Sequence, residues 1–283
     1  MVTPFTDTGA LDLDGAQRLA TELVDGDGND GLVLSGTTGE SPTTSDAEKQ
    51  ALLRAVLEAV GDRATVLTGV GTNDTAHSVH LAQQAEQGGA HGLLAVTPYY
   101  SRPPQAGLLA HFRTLADATE LPVMLYDIPV RTGVPLEVDT LVRLAEHPRI
   151  VAVKDAKGDF AAMSWTLART DLTYYCGEDM LNLPMLSVGA VGVVSVVGHL
   201  VGTRLREMID AYEKGDVEHA ASVHRGLLPV YAGVFRTQGV ILTKAALGLL
   251  GRPGGPVRAP LVDATEEQVA LLVQDLRAGG VAL

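Results

Sequence analysis

The chain has 283 residues, 46% of them hydrophobic, one cysteine and a formal net charge of −13. That length fits one large domain or two ordinary ones, and the acidic balance opposes binding to polyanions, so a nucleic-acid partner is excluded. No run of about 18 uncharged apolar residues is present to span a membrane, the opening MVTPFTDTG has no basic-then-apolar leader pattern, and the lone Cys176 suits a reducing compartment, so a cytoplasmic protein is expected.

Short apolar runs alternate with amphipathic stretches over most of the chain. Met1-Val2-Thr3 reads as the tail of a first strand. The next runs are Gly31–Ser35, Thr65–Val70, Gly92–Thr97, Pro122–Tyr126, Ile150–Lys154, Leu172–Cys176 and Gly192–Val196. Continuous apolar runs suit strands covered on both faces by helices. Ser45-Asp46-Ala47-Glu48 forms a capping box, followed by a stripe of Leu52, Leu53, Val56, Leu57 and Val60. A further helix follows Asn73-Asp74, with Ala76, Val79, Ala82 and Ala85 inward and Gly88 at its end. Repeated strand–helix units mean a parallel sheet, either doubly wound or closed, and eight strands favour a (β/α)8 barrel. Residues 1–215 are assigned to the barrel and 216–283 to a C-terminal helical region, broken at Pro229 and at Arg252–Pro256.

In a barrel the chemistry sits at the C-terminal ends of the strands. The chain has only five lysines. Lys49 and Lys214 read as solvated, Lys244 as a helix residue snorkelling from the surface, and Lys157 as a loop residue. Lys154 alone ends an apolar strand. Its amine would be a nucleophile if an apolar mouth disfavoured the ammonium, and a structural partner of Asp155 otherwise. Gly36-Thr37-Thr38-Gly39-Glu40 is either an anion-binding nest with two extra hydroxyl donors or an ordinary strand–helix turn. Tyr126 ends a strand and either relays protons or packs, and Arg131 nearby has the fork to clamp a carboxylate. Tyr99 and Tyr100 either serve a site or pack at a subunit contact. The scattered histidines give no metal cluster, so neither a metal nor another cofactor is expected.

Five segments carry a resemblance: GTTGES at Gly36–Ser41, TPYY at Thr97–Tyr100, YDIPVRTG at Tyr126–Gly133, VKD at Val153–Asp155 and GVVSV at Gly192–Val196. In this order and spacing they resemble the dihydrodipicolinate synthase family, across essentially the whole chain. The resemblance implies a Schiff-base condensation of pyruvate with aspartate 4-semialdehyde, in lysine and diaminopimelate biosynthesis, by a homotetramer. It implies Lys154 as the imine-forming amine and Thr37, Tyr126 and Tyr100 as a proton relay, with Tyr100 reaching a neighbouring subunit. Thr37 and Thr38 would cradle the pyruvate carboxylate, the Val194 carbonyl would lie near pyruvate, and Arg131 would hold the aldehyde's carboxylate. A sister aldolase that releases pyruvate from a 2-keto acid, and a catalytically silent ligand-binding barrel, are the alternatives.

Two departures from the family pattern stand out. The first strand is truncated, which leads us to expect further residues before Met1 in the native protein. The family's feedback site for lysine is only partly matched. Ser41, Asn73 and Tyr99 keep suitable types, but His77 stands where a carboxylate receives the ligand's ammonium, and Lys49 adds a cation. Asp46 is the residue that could restore the negative charge.

Overall fold

The computed structural model describes residues 1–283 throughout. Seven strands form one sheet in strict sequence order: β1 Gly31–Leu34, β2 Thr65–Gly69, β3 Gly92–Val96, β4 Val123–Asp127, β5 Ile150–Asp155, β6 Thr173–Cys176 and β7 Gly192–Val193. From β2 onward each strand runs parallel to the next. Helices fill the crossovers: α1 Leu13–Thr21, α2 Asp46–Val60, α3 Thr75–Gln87, α4 Gln105–Asp117, α5 Pro129–Thr132, α6 Val138–Ala145, α7 Phe160–Leu167 and α8 Asn182–Val188. A sequential order of parallel strands is the topology of a TIM barrel; a doubly wound sheet reverses its order partway. All seven runs expected after the first are strands. Met1–Thr3 joins no ladder, although the Met1 ammonium donates to the Val33 carbonyl at 2.6 Å, so the first strand is indeed truncated.

Two compact units divide the chain, Leu67–Ser195 and the pair of segments Met1–Val66 with Val196–Leu283. The middle unit carries β3 to β7 and α3 to α8. Its core is the apolar strand runs themselves, with Leu93, Ala95, Val123, Leu125 and Val153 wholly buried. Asp74 caps α3 through the Ala76 amide, as expected, but the inward stripe is Ser78, Leu81, Ala82 and Ala85, and Ala76 faces solvent. The β4–β5 ladder contains a bulge: Val123 pairs with Ile150, yet Met124 pairs with Ala152, so Val151 is the extra residue. Beyond it, Tyr126 stands opposite Lys154 and Asp127 opposite Asp155.

The unit of chain ends holds β1, α1, α2 and four further helices: α9 Gly198–Glu213, α10 Val217–Val234, α11 Gly239–Leu249 and α12 Glu266–Ala278. The capping box at Ser45 and Glu48 is formed. Pro229 does not break α10, because Leu227, Val230 and Tyr231 are wholly buried on either side and packing overrides local propensity. Nor does the tail stand apart. Arg252 grips Asp27 with two hydrogen bonds at 2.6 and 3.2 Å, and Phe5 donates its amide to the Gly254 carbonyl at 3.3 Å. Gly255 has φ +64°, and a Cβ there would lie 1.8 Å from the Phe5 carbonyl oxygen, so only glycine allows this approach. Lys244 is not at the surface. It is 5% exposed and lies 2.7 Å from Glu40, with burial the main cause holding its ammonium below its ordinary pKa.

Candidate active site

Lys154 is the penultimate residue of β5, and side chains alternate along a strand. The bulge at Val151 puts Lys154 on the same side as Tyr126, and its Nζ lies 4.1 Å from the centre of that ring. Lys154 makes no ion pair. Asp155 points the other way and accepts from the amides of Lys157 at 2.8 Å and Gly158 at 3.0 Å. The alternative of a lysine paired with Asp155 is therefore not what the chain builds. Gly177, just beyond β6, forms the floor under this side chain: a Cβ there would stand 2.9 Å from both Cε and Cγ of Lys154. The carbonyl of buried Tyr126 is fixed by the Thr97 amide at 3.0 Å and the Thr97 hydroxyl at 3.1 Å.

Around this pair the other strand ends supply charge. Arg131 is exposed on the single-turn helix α5, which ends at Gly133 in the left-handed conformation. Arg102 donates from Nε to the Gly133 carbonyl at 2.9 Å and so ties that turn to the loop after β3. Burial, then the neighbouring Asp179, push the Glu178 carboxyl above its ordinary range, while the Met180 amide, Arg131 and Lys154 pull it back. Glu178 thus feels both cations. Tyr99 is half-buried, whereas Tyr100 is 90% exposed and strained, with φ +71°. Val194 is half-buried just past β7, its amide bonded to the Cys176 carbonyl at 2.7 Å. Cys176 is buried, and its thiol is pushed up to about 12 chiefly by burial, which leaves it unreactive.

Behind Tyr126 and Lys154 lies a group missed from the sequence. Asp127 and Asp155 are almost fully buried side by side, and Lys157 bridges to Asp127 at 3.2 Å. Asp127 also accepts from the Leu136 amide. Burial outweighs the Lys157 charge and raises the Asp127 carboxyl to about 6. The signal was legible in principle: two acids directly after Tyr126 and Lys154, at the ends of apolar runs, with one lysine two residues on.

In the other unit, the turn after β1 carries Thr37 and Thr38, both half-buried. Glu40 donates its amide to the Thr37 carbonyl at 3.1 Å and Ser41 donates to Gly36 at 3.2 Å, closing the turn. The amides of Thr37, Thr38 and Gly39 and both threonine hydroxyls have no acceptor in the chain. Such a cluster of donors is what an acidic protein needs to hold an anion. Of the feedback residues, Ser41, Asp46 and Lys49 lie in this unit, and Asn73, His77 and Tyr99 in the other. Lys49 is half-buried rather than solvated and donates to the Thr44 carbonyl; burial is the main cause lowering its pKa.

No group of three or more His, Cys, Asp or Glu side chains converges as metal ligands. No helix is long and apolar enough to cross a membrane.

Comparison with known proteins puts these features in a family context. The model of the dihydrodipicolinate synthetase family matches residues 1–278. A 4-hydroxy-tetrahydrodipicolinate synthase of Acidothermus cellulolyticus is 72% identical over 280 residues, which covers 99% of this chain and 91% of that protein. A second, from Streptomyces coelicolor, is 66% identical over 283 residues, covering 100% of this chain and 94% of that protein. Among solved structures, the lysine-bound enzyme from Cyanidioschyzon merolae is 39% identical with a TM-score of 0.97, covering 100% of this chain and 97% of that one. A monomeric dihydrodipicolinate synthase variant is 36% identical with a TM-score of 0.95, covering 100% and 95% of the two chains.

Proposed function

The chain belongs to the dihydrodipicolinate synthetase family, and on that premise we propose that it condenses pyruvate with L-aspartate 4-semialdehyde to 4-hydroxy-tetrahydrodipicolinate, using Lys154 as the pyruvate-carrying amine. The observation that carries the assignment of Lys154 is its placement. It stands one residue before the end of a strand, lies over the Tyr126 ring, and is free of the carboxylate that would make it structural. The neutral amine attacks the ketone carbon of pyruvate and water leaves, forming an imine. Loss of a methyl proton converts the imine to an enamine, whose carbon bonds to the aldehyde carbon of the second substrate. The amino group of that substrate then displaces Lys154 and closes the ring. The imine nitrogen is the electron sink, so the reaction requires no cofactor.

Thr37, Tyr126 and Tyr100 move the protons in this reading. Thr37 and Thr38 hold the pyruvate carboxylate with their unengaged donors, and the Val194 carbonyl lies beside bound pyruvate. Arg131 takes the carboxylate of the aldehyde. The exposed, strained Tyr100 supports a working homotetramer in which that ring enters a neighbour's site. We place the enzyme in the cytoplasm, in the lysine and diaminopimelate pathway. Borohydride reduction in the presence of pyruvate tests the core of the reading. One pyruvate-derived mass per chain on the Lys154 peptide is expected, and absence of label, or label on another lysine, would overturn it.

A further inference from the structure

A densely bonded polar cluster in the unit of chain ends lies just behind the turn that carries Thr37 and Thr38. Glu40 closes that turn. It is 3% exposed and adopts φ +54°, the left-handed region that a residue with a Cβ avoids unless something holds it there. Three groups hold it. Its Oε1 lies 2.7 Å from the Lys244 ammonium, its Oε2 accepts from the Arg258 amide at 2.8 Å, and its own amide donates to Thr37. Lys244 comes from α11, donates also to the Pro256 carbonyl at 2.7 Å, and lies 4.3 Å from the centre of the Phe5 ring. The Arg258 guanidinium lies 4.0 Å from the same ring centre and reaches the Glu48 carboxylate and the Thr43 carbonyl. Glu48 is the residue whose carboxylate completes the capping box of α2, so the same residue braces both ends of the segment from Glu40 to Glu48, with its amide at Glu40 and its guanidinium at Glu48.

A buried Lys–Glu pair is a poor source of stability, because desolvation offsets most of the attraction, but it specifies one arrangement of the groups it joins. What is specified here is the backbone at Glu40, and through it the preceding residues. We propose that Lys244 and Arg258, through Glu40, are positioning residues for Thr37 and Thr38, so that the C-terminal helical region sets how the carboxylate of the first substrate is held. The inference rests on the reading that these threonines bind the pyruvate carboxylate. Neither cation touches substrate.

The test separates positioning from mere stability. Lys244→Met leaves Glu40 without its cation, and Glu40→Gln keeps its shape and one acceptor while removing the charge, so a failure of the first to fold leaves the second. Val223→Ala, in the core of α10 and away from the cluster, serves as the stability control. For each variant the melting temperature, the KM for each substrate and the pyruvate concentration giving half-maximal borohydride labelling of Lys154 are measured. The expected result is a rise of tenfold or more in pyruvate KM and in half-labelling concentration for Glu40→Gln and Lys244→Met. The KM for the aldehyde should stay within twofold, and Val223→Ala at equal loss of melting temperature should leave pyruvate KM unchanged. Lys244→Arg should recover most of the effect. Unchanged pyruvate KM in both charge variants, or an equal rise in Val223→Ala, would overturn the positioning role. Absence of pyruvate label in the unaltered chain would instead overturn the reading on which it rests.

Discussion

Replacing Gly177 with alanine tests whether the pose of Lys154 matters without adding or removing a single polar atom. The new methyl would sit 2.9 Å from Cε and Cγ of Lys154 and 3.2 Å from the Asp155 carbonyl oxygen. Carbon atoms rest at about 3.5–4.0 Å, so the lysine chain has to move by at least about 0.6 Å. A displacement of about 1 Å of a reacting group costs on the order of 10²-fold in rate. The rate of imine formation should then fall about 10- to 100-fold, equivalent to about 1.4–2.7 kcal/mol. Stability should change by less than about 1 kcal/mol, because the lysine end is flexible and only one backbone atom is crowded. The assay is the time course of borohydride-trapped adduct at saturating pyruvate, alongside a melting curve. A folded Gly177→Ala protein that traps pyruvate within twofold of the parent rate would refute the idea that this floor fixes the nucleophile.

Arg131→Ala should lower kcat/KM for aspartate semialdehyde by about 1.5–3 kcal/mol, the value of a charge-assisted contact, while pyruvate labelling of Lys154 is unchanged; equal loss in both steps would contradict the role. Lys157→Met should destabilise the fold by about 3–5 kcal/mol by stranding buried Asp127, read from urea unfolding at neutral pH. Because burial raises Asp127 from 3.8 to about 6 in the fold, the native state binds the extra proton between those values. Its contribution is then fully present below about pH 4 and lost as pH rises to about 6, worth about 3 kcal/mol in all. Asp127→Asn should flatten that part of the stability–pH curve, and an unaltered slope would show the carboxyl to be ordinary. Free lysine should inhibit weakly or not at all, since His77 offers no fixed negative charge to an ammonium worth about 4 kcal/mol at 4 Å. Strong inhibition at sub-millimolar lysine would refute this, and His77→Glu should strengthen binding.

The sheet was legible because its strands are buried on both faces and so read as unbroken apolar runs, and the helix after Ser45 because its cap is written in two residues. Lys154 stood out by elimination among five lysines, and its freedom from Asp155 became visible only in the fold, where hydrogen bonds turn that carboxylate aside. Long-range pairings were not legible. Lys244 looked like a surface residue because periodicity says nothing of a partner 204 positions away, although a single lysine inside the apolar run Gly239–Leu249 was a clue to burial. Arg258 sits in a loop with no local pattern, and its place on Phe5 depends on the close approach at Gly255. The tail was read as an appendage for the same reason: amphipathic helices announce that they pack, not against what.

The extra residue in β5 has a consequence for how this chain tolerates change. Were the ladder regular from Val123 and Ile150, Tyr126 would stand opposite Val153 and Asp127 opposite Lys154. Val151 therefore acts as a frame adjuster, and its own side chain is 42% exposed and open to replacement. Substitution and deletion are accordingly alike at this position. Many residue types fit the slot, and removing it would close the bulge while every pair beyond it keeps its partner, Tyr126 opposite Lys154 and Asp127 opposite Asp155. Only drawing Val151 into the ladder would seat the amine beside a carboxylate, with every residue identity intact.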